Sequence, residues 1–264
     1  MPPSIVRSPP AGSIEYAVGH MSLQQILSRT PVRTIEEAMA IMSAIDGRLP
    51  DSDGVKWFNR LYLRVTVSVG RAVAGATFAD PAFLTRLDVV FANQYFAALA
   101  ASAKGLQAVP SAWRPLLQSR HTPGIARIQF ALAGMNAHIN RDLPDGIVQS
   151  FVALGGNPLT ATVRERDFES VNEILERVEG EVKTEFTVGV IGEIDRLGGD
   201  VDDAVAMWKV RAARSAAWTN AQVLWGLRRL PRVRARFFDR LDSLVGMSGR
   251  GLLLVRTPFV NSEL

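Results

Sequence analysis

From about residue 34 onward, apolar residues recur at three- and four-residue intervals. That is the period of a buried helix face rather than the alternation of a half-buried strand. Thr34 and Glu37 form a T-x-x-E capping box ahead of Ile35, Met39, Met42 and Ile45, and Gly47 ends that run. Pro50, Asp51, Asp53 and Gly54 then supply turn chemistry. The next helix is predicted over about 55–75, with Trp57, Leu61 and Arg64 near one side and Phe58, Tyr62 and Val65 beside them. Its second half is β-branched (Val65, Thr66, Val67, Val69), which admits a strand, but the continued period favours helix. Asp80 and Pro81 have the N-cap and first-turn preferences that open a helix to about residue 103. A punctuated stretch over 105–124 holds one short turn at Trp113, Arg114 and Pro115.

The helix predicted over 125–143 buries Ile128, Leu132, Met135 and Ile139, and Pro144 is expected to stop it. Beyond it, Asp167 is a candidate cap for a helix to about residue 185. A further segment over 186–197 breaks at Gly198 and Gly199, and helices follow over 201–230 and 233–245. No repeat of fixed period interrupts this series. The expectation is an all-α chain: a single-domain multi-helix bundle over 31–264 with an interior polar pocket. The proline-rich MPPSIVRSPPAGS start makes residues 1–30 a flexible extension.

Composition removes several options. A chain of 264 residues is long enough to bury roughly 70–75% of its unfolded surface without staples. It has no cysteine, so disulfides and thiolate metal sites are excluded, and its three histidines are His20, His121 and His138. The net charge of +4 and pI near 9.8 raise nucleic-acid binding. However, the 26 acidic residues are interleaved with the basic ones, and lysine is confined to Lys56, Lys104, Lys183 and Lys209. The densest basic run, Arg228, Arg229, Arg232, Arg234, Arg236 and Arg240, surrounds Pro231 and reads as a solvated corner. No apolar run is long enough for a membrane span, and the N-terminus lacks the apolar core of a signal peptide. The expectation is a soluble cytoplasmic protein that binds neither nucleic acid nor membrane. An apolar surface helix would allow a homodimer.

Three positions carry candidate chemistry. Asp88 falls within the apolar stripe of Leu84, Phe91 and Tyr95, where an unpartnered polar group costs roughly 2–7 kcal/mol. It is either a structural ion pair or a functional carboxylate. Arg214, Trp218, Ala221 and Trp225 share another stripe, read as tryptophan packed under arginine stems. The densest polar stretch is GMNAHINRDLP over 134–144. There His138 and Asp142 stand four apart and can meet on one helix face, beside a strip of small residues, Ala131 and Gly134, that would leave room for a ligand. A carboxylate beside an imidazole selects its tautomer and suits it to proton transfer near neutral pH. The alternatives are a helix pair that steadies the following turn, or two ligands of a metal site that would need more. No dinucleotide fingerprint, phosphate loop or nucleophile elbow is present, and no cofactor is implied.

Several segments resemble a bacterial helical family of unknown function. They are RLPDSDGVKWFNRLYLRVT over 48–66, LDVVFANQYF over 87–96, WRPL over 113–116, GMNAHINRDLP over 134–144, DFESVN over 167–172 and LWGLRRLP over 224–231. The chain resembles, less closely, the spiroketal cyclases of polyketide natural-product pathways, which close a dihydroxyketone into two rings sharing one carbon. That resemblance implies a cofactor-independent acid–base cyclase acting on a hydroxylated, polyketide-like small molecule. His138, Asp142 and Asp88 would be catalytic. Asn136, Asn140, Arg114 and Tyr95 would orient oxygens, and Tyr62, Trp57 and Phe91 would exclude water. The rival expectations are a metal-dependent hydrolase built on His138, Asp142 and Asp88, and a non-enzymatic small-molecule binding protein.

Overall fold

The computed structural model describes residues 21–75, 77–188 and 210–254. Among these the chain is helix and connecting turns, with no strand. The helices are α1 (Leu23–Leu27), α2 (Ile35–Arg48), α3 (Gly54–Ala74), α4 (Pro81–Ala101), α5 (Arg114–Ser119) and α6 (Arg127–Ala137). A π-helical turn (His138–Asp142) leads on to α7 (Leu143–Leu154), α8 (Thr162–Val188), α9 (Val210–Gly226) and α10 (Pro231–Leu252).

Starts and stops follow local chemistry. Thr34 accepts the Glu37 amide at 3.1 Å, as its sequence implies, but the Glu37 carboxylate reaches past the cap to the Arg33 amide at 2.6 Å. Asp80 caps α4 through the Phe83 amide. The β-branched half of α3 is helical, because Thr66 and Val69 bury against the bundle in register with Leu61 and Tyr62.

Several boundaries differ from expectation. Pro144 does not stop its helix. A proline lacks the N–H that would bond the carbonyl four residues back, and its ring crowds that carbonyl. The chain answers with one wider turn, in which the Leu143 N–H reaches back five residues to the His138 carbonyl, and the helix resumes as α7. Asp167 caps nothing in its own helix. It lies inside α8 and accepts the Ala79 and Asp80 amides at 3.1 and 2.6 Å, tying α8 to the start of α4. Of the expected extension, residues 1–20 lie outside the described residues. Ser22 caps α1, which buries Ile26 and Leu27. The segment expected over 186–197 lies almost wholly outside the described residues, as does the start of the helix expected at 201. The final helix runs from Pro231 to Leu252, longer at both ends than its apolar pattern suggests.

The centre of the bundle is α4 and the continuous α6–π–α7 segment. Both are apolar round most of their circumference, as centrally placed helices are. Helix α3 packs on α6, α7 on α4 and α9, α8 on α3 and α9, and α10 on α6. Phe58, Phe83, Tyr95, Phe96, Trp113, Phe151 and Phe168 are fully buried, each such ring contributing roughly 1.5–3 kcal/mol. The small residue Gly134 serves this packing. A Cβ there would overlap the Phe58 ring, so the space above α6 is filled by α3 and is not open to a ligand.

Candidate functional site

The π turn divides its polar side chains between two environments. His138 and Asp142 point into the core and are both 0% exposed. Asp142 Oδ2 accepts the indole N–H of Trp113 at 2.9 Å and lies 3.1 Å from His138 Nδ1, while Oδ1 accepts Arg141 Nη1 at 2.7 Å. A carboxylate can only accept, so the imidazole donates its Nδ1–H and presents Nε2 as a bare lone pair. That Nε2 is buried and makes no hydrogen bond. Burial holds the His138 pKa below the usual imidazole value against the opposing pull of Asp142, so the ring is neutral at physiological pH.

His138 lines a cavity between α3, α4, the π turn, α8 and α9. Tyr62, Thr66, Asp88, Phe91, His138 and Arg214 line it together with aliphatic side chains, and its volume is ≈ 40 Å³. Such a space admits about one water molecule. The Phe91 ring lies flat on the imidazole, centroids 3.4 Å apart and planes 3° apart, and Tyr62 meets it edge-on at 4.5 Å. Asp88 retains some exposure as a residue, but its Oδ2 is shielded from solvent and has no hydrogen-bond partner. Burial pushes its carboxyl up to about 7, with Arg214 pulling the other way. Near neutral pH this group therefore exists substantially as the neutral acid. Arg214, on the same cavity, is 7% exposed, and burial lowers its guanidinium to about 10, which still leaves it a cation.

The expected site residues thus separate. Asp88, His138, Tyr62 and Phe91 converge on the cavity. Asp142 stands behind His138 and orients it. Tyr95 packs within the core against Phe58 and Trp113, its hydroxyl reaching Asn59 Oδ1 at 3.3 Å. Trp57 donates to the Asp51 carbonyl and lies under Arg60 and Arg127. Arg114 ties its own loop together through the Val109 carbonyl at 2.8 Å. Asn136 donates to the Val245 carbonyl at 2.9 Å and accepts from Asn140 at 3.1 Å, so this pair secures α10. None of these five lines the cavity.

Sequence reasoning missed Arg214, Thr66 and the Trp113 hydrogen bond. Arg214 did carry a signal, a charge inside an apolar stripe, the same one that marked Asp88. The basic corner is solvated apart from local ties: Arg234 pairs with Asp145 at 2.7 Å and Arg228 bonds the Trp225 carbonyl. Among the described residues no helix is long and apolar enough to cross a membrane, and no three His, Asp or Glu side chains converge as metal ligands would.

Fold and site define a helical bundle with an acid, a neutral imidazole and a buried guanidinium around one internal cavity. Its family follows from the sequence: residues 35–255 match a family of unknown function (DUF5995), and the chain belongs to that family. Neither the curated proteins nor the solved structures contain a match to this chain.

Proposed function

We propose that the protein is a cofactor-independent acid–base enzyme acting on a small hydroxylated ketone, with closure of a dihydroxyketone to a spiroketal as the specific reaction. The observation that carries this reading is that Asp88 and His138 line the same cavity and that each has a buried atom, Oδ2 and Nε2, without a hydrogen-bond partner. Buried unpaired polar atoms are few in native proteins and call for a reason. One of these is a carboxyl poised to donate and the other an imidazole nitrogen poised to accept. Separated acid and base roles of this kind mark proton-transfer sites.

The reaction needs no electrons from outside. One hydroxyl adds to the ketone to give a hemiketal. The neutral Asp88 carboxyl then donates its proton to the hemiketal hydroxyl, which leaves as water, and an oxocarbenium ion remains beside the new Asp88 carboxylate. The second hydroxyl attacks that carbon and gives its proton to His138 Nε2. Return of this proton to Asp88 restores both groups. Asp142 does not touch the substrate. It holds the imidazole with Nδ1–H inward and steadies the imidazolium that forms, with Trp113 and Arg141 fixing its own orientation. Admission of a ketone with two hydroxyl arms requires the partly exposed Phe91 ring to swing off the imidazole, which widens the ≈ 40 Å³ space.

The test is ring closure of a linear dihydroxyketone, followed by chiral chromatography. The expected result is one stereoisomer formed faster than in buffer. Loss of His138 to Gln or of Asp88 to Asn is expected to reduce turnover about 10²–10⁴-fold. Asp142→Asn should do the same and also move the proton from Nδ1 to Nε2 in the ¹⁵N spectrum of His138. Full turnover in His138→Gln and Asp88→Asn removes the reading. A small molecule that binds and is recovered unchanged would point to a binding protein using the same cavity.

A further inference from the structure

Arg214 is not needed for proton transfer between Asp88 and His138, yet it occupies the same cavity wall. Its Nε donates to Asn172 Oδ1 and its Nη2 to the Phe168 carbonyl, both at 2.7 Å, and the guanidinium lies 4.0 Å from the Phe168 ring centre. Both acceptors are neutral. Among the described residues no carboxylate forms an ion pair with it. The nearby Glu169 is instead bonded to Asn172 and Ser215, and Asp88 acts on Arg214 only through space. A buried arginine held only by neutral acceptors keeps most of its desolvation cost, which a contacting anion would offset. Guanidinium is also the side chain best shaped to receive a carboxylate.

We propose that the substrate carries a carboxylate, which seats against Arg214 and places the reacting carbonyl between Asp88 and His138. This rests on the cavity being the reaction site, but it concerns binding and is testable without turnover. It deepens the substrate class from a neutral hydroxyketone to a hydroxyketo acid. It also couples binding to protons. The titratable groups facing the cavity are Asp88 from α4, His138 from the π turn, Tyr62 from α3 and Arg214 from α9, with Glu169 of α8 beside Arg214. Burial disfavours the charged forms of His138 and Tyr62, so Asp88, pushed up to about 7, is the cavity group whose charge changes near neutral pH. An incoming anion disfavours ionised Asp88. Binding therefore holds Asp88 in the acid form that proton donation requires, and weakens as pH rises through about 7.

The experiment is an NMR titration of ¹⁵N-histidine-labelled protein with propionate and with propionamide, which match in shape and differ in charge. Propionate is expected to move the His138 ring signals at least about tenfold more tightly than propionamide, and to weaken about tenfold from about pH 6 to about pH 8. Asp88→Asn should abolish the pH dependence while keeping the preference for the anion. Arg214→Gln should abolish the preference. Equal binding of the amide, undiminished propionate binding in Arg214→Gln, or pH dependence that survives in Asp88→Asn overturns the proposal. If Arg214→Gln does not fold, the amide comparison and Asp88→Asn decide it. Stereoselective ring closure without anion preference would reject this proposal and leave the cyclase reading standing. Anion preference without turnover would do the reverse.

Discussion

The two sides of the 134–144 segment contain the same kind of residues at the same spacing, and they do different things. Asn136 and Asn140 stand four apart, as His138 and Asp142 do. The asparagines are bonded to each other, and Asn136 also holds the Val245 carbonyl of α10. The His–Asp pair is equally well held on its inner side, but it leaves Nε2 unpaired on a residue that lines the cavity. The difference teaches that a polar pair on a helix is informative about chemistry only when one of its atoms is left over. The asparagine pair fastens one helix to another, whereas the His–Asp pair keeps one buried nitrogen unbonded.

Three substitutions probe that contrast through stability. The largest effect is expected from Asp142→Ala. It leaves Arg141 and the buried Trp113 N–H without their shared acceptor, at a cost of about 3–5 kcal/mol read as a shift in urea midpoint. A loss below about 1 kcal/mol would mean that the inner side of the pair is not the fastening described.

Next is Asp88→Asn, where the sign depends on pH. The folded-state pKa of Asp88 is raised, so the folded protein holds this proton more tightly than the unfolded chain. Stability is then fully present below the unfolded carboxyl pKa and falls as pH rises through about 7. Removing the charge should stabilise the protein at about pH 8 by on the order of 2 kcal/mol, allowing for the partial exposure of the residue, and by little at about pH 4. A gain that does not vary with pH would contradict burial of the charge. His138 acts in the opposite direction. Its lowered pKa means that stability is lost as pH falls below about 6.5 toward the folded value.

The smallest effect is expected from Asn136→Ala, about 1–1.5 kcal/mol for the bond to Val245, with no change in the His138 ring signals. A shift of those signals would show that the two sides are coupled.

Much of the architecture was legible because helical period and cap chemistry are local. The caps at Thr34 and Asp80, the helical reading of the β-branched 65–69 stretch and the buried stripe of Trp218 and Trp225 all follow from neighbours within a few residues. The misread boundaries have non-local causes. Pro144 ends a helix unless the preceding turn can widen, and Asp167 caps whatever chain lies across from it, here the start of α4 some 87 residues away. The small strip at Ala131 and Gly134 suggested a ligand space, yet the ring that fills it comes from Phe58 on another helix.

The sequence by itself determined the all-α class, the helices α2, α3 and α4, the lack of thiol chemistry and the identity of two unusual polar positions, Asp88 and His138. Each is a property of composition or of spacing along one helix. Only the tertiary structure decided that these two share a cavity, that Arg214 joins them, and that Asn136, Asn140, Arg114, Tyr95 and Trp57 do not line it. A side chain's helix face limits where it can point. What it meets there is set by the packing of other helices, and spacing within one helix holds no record of that.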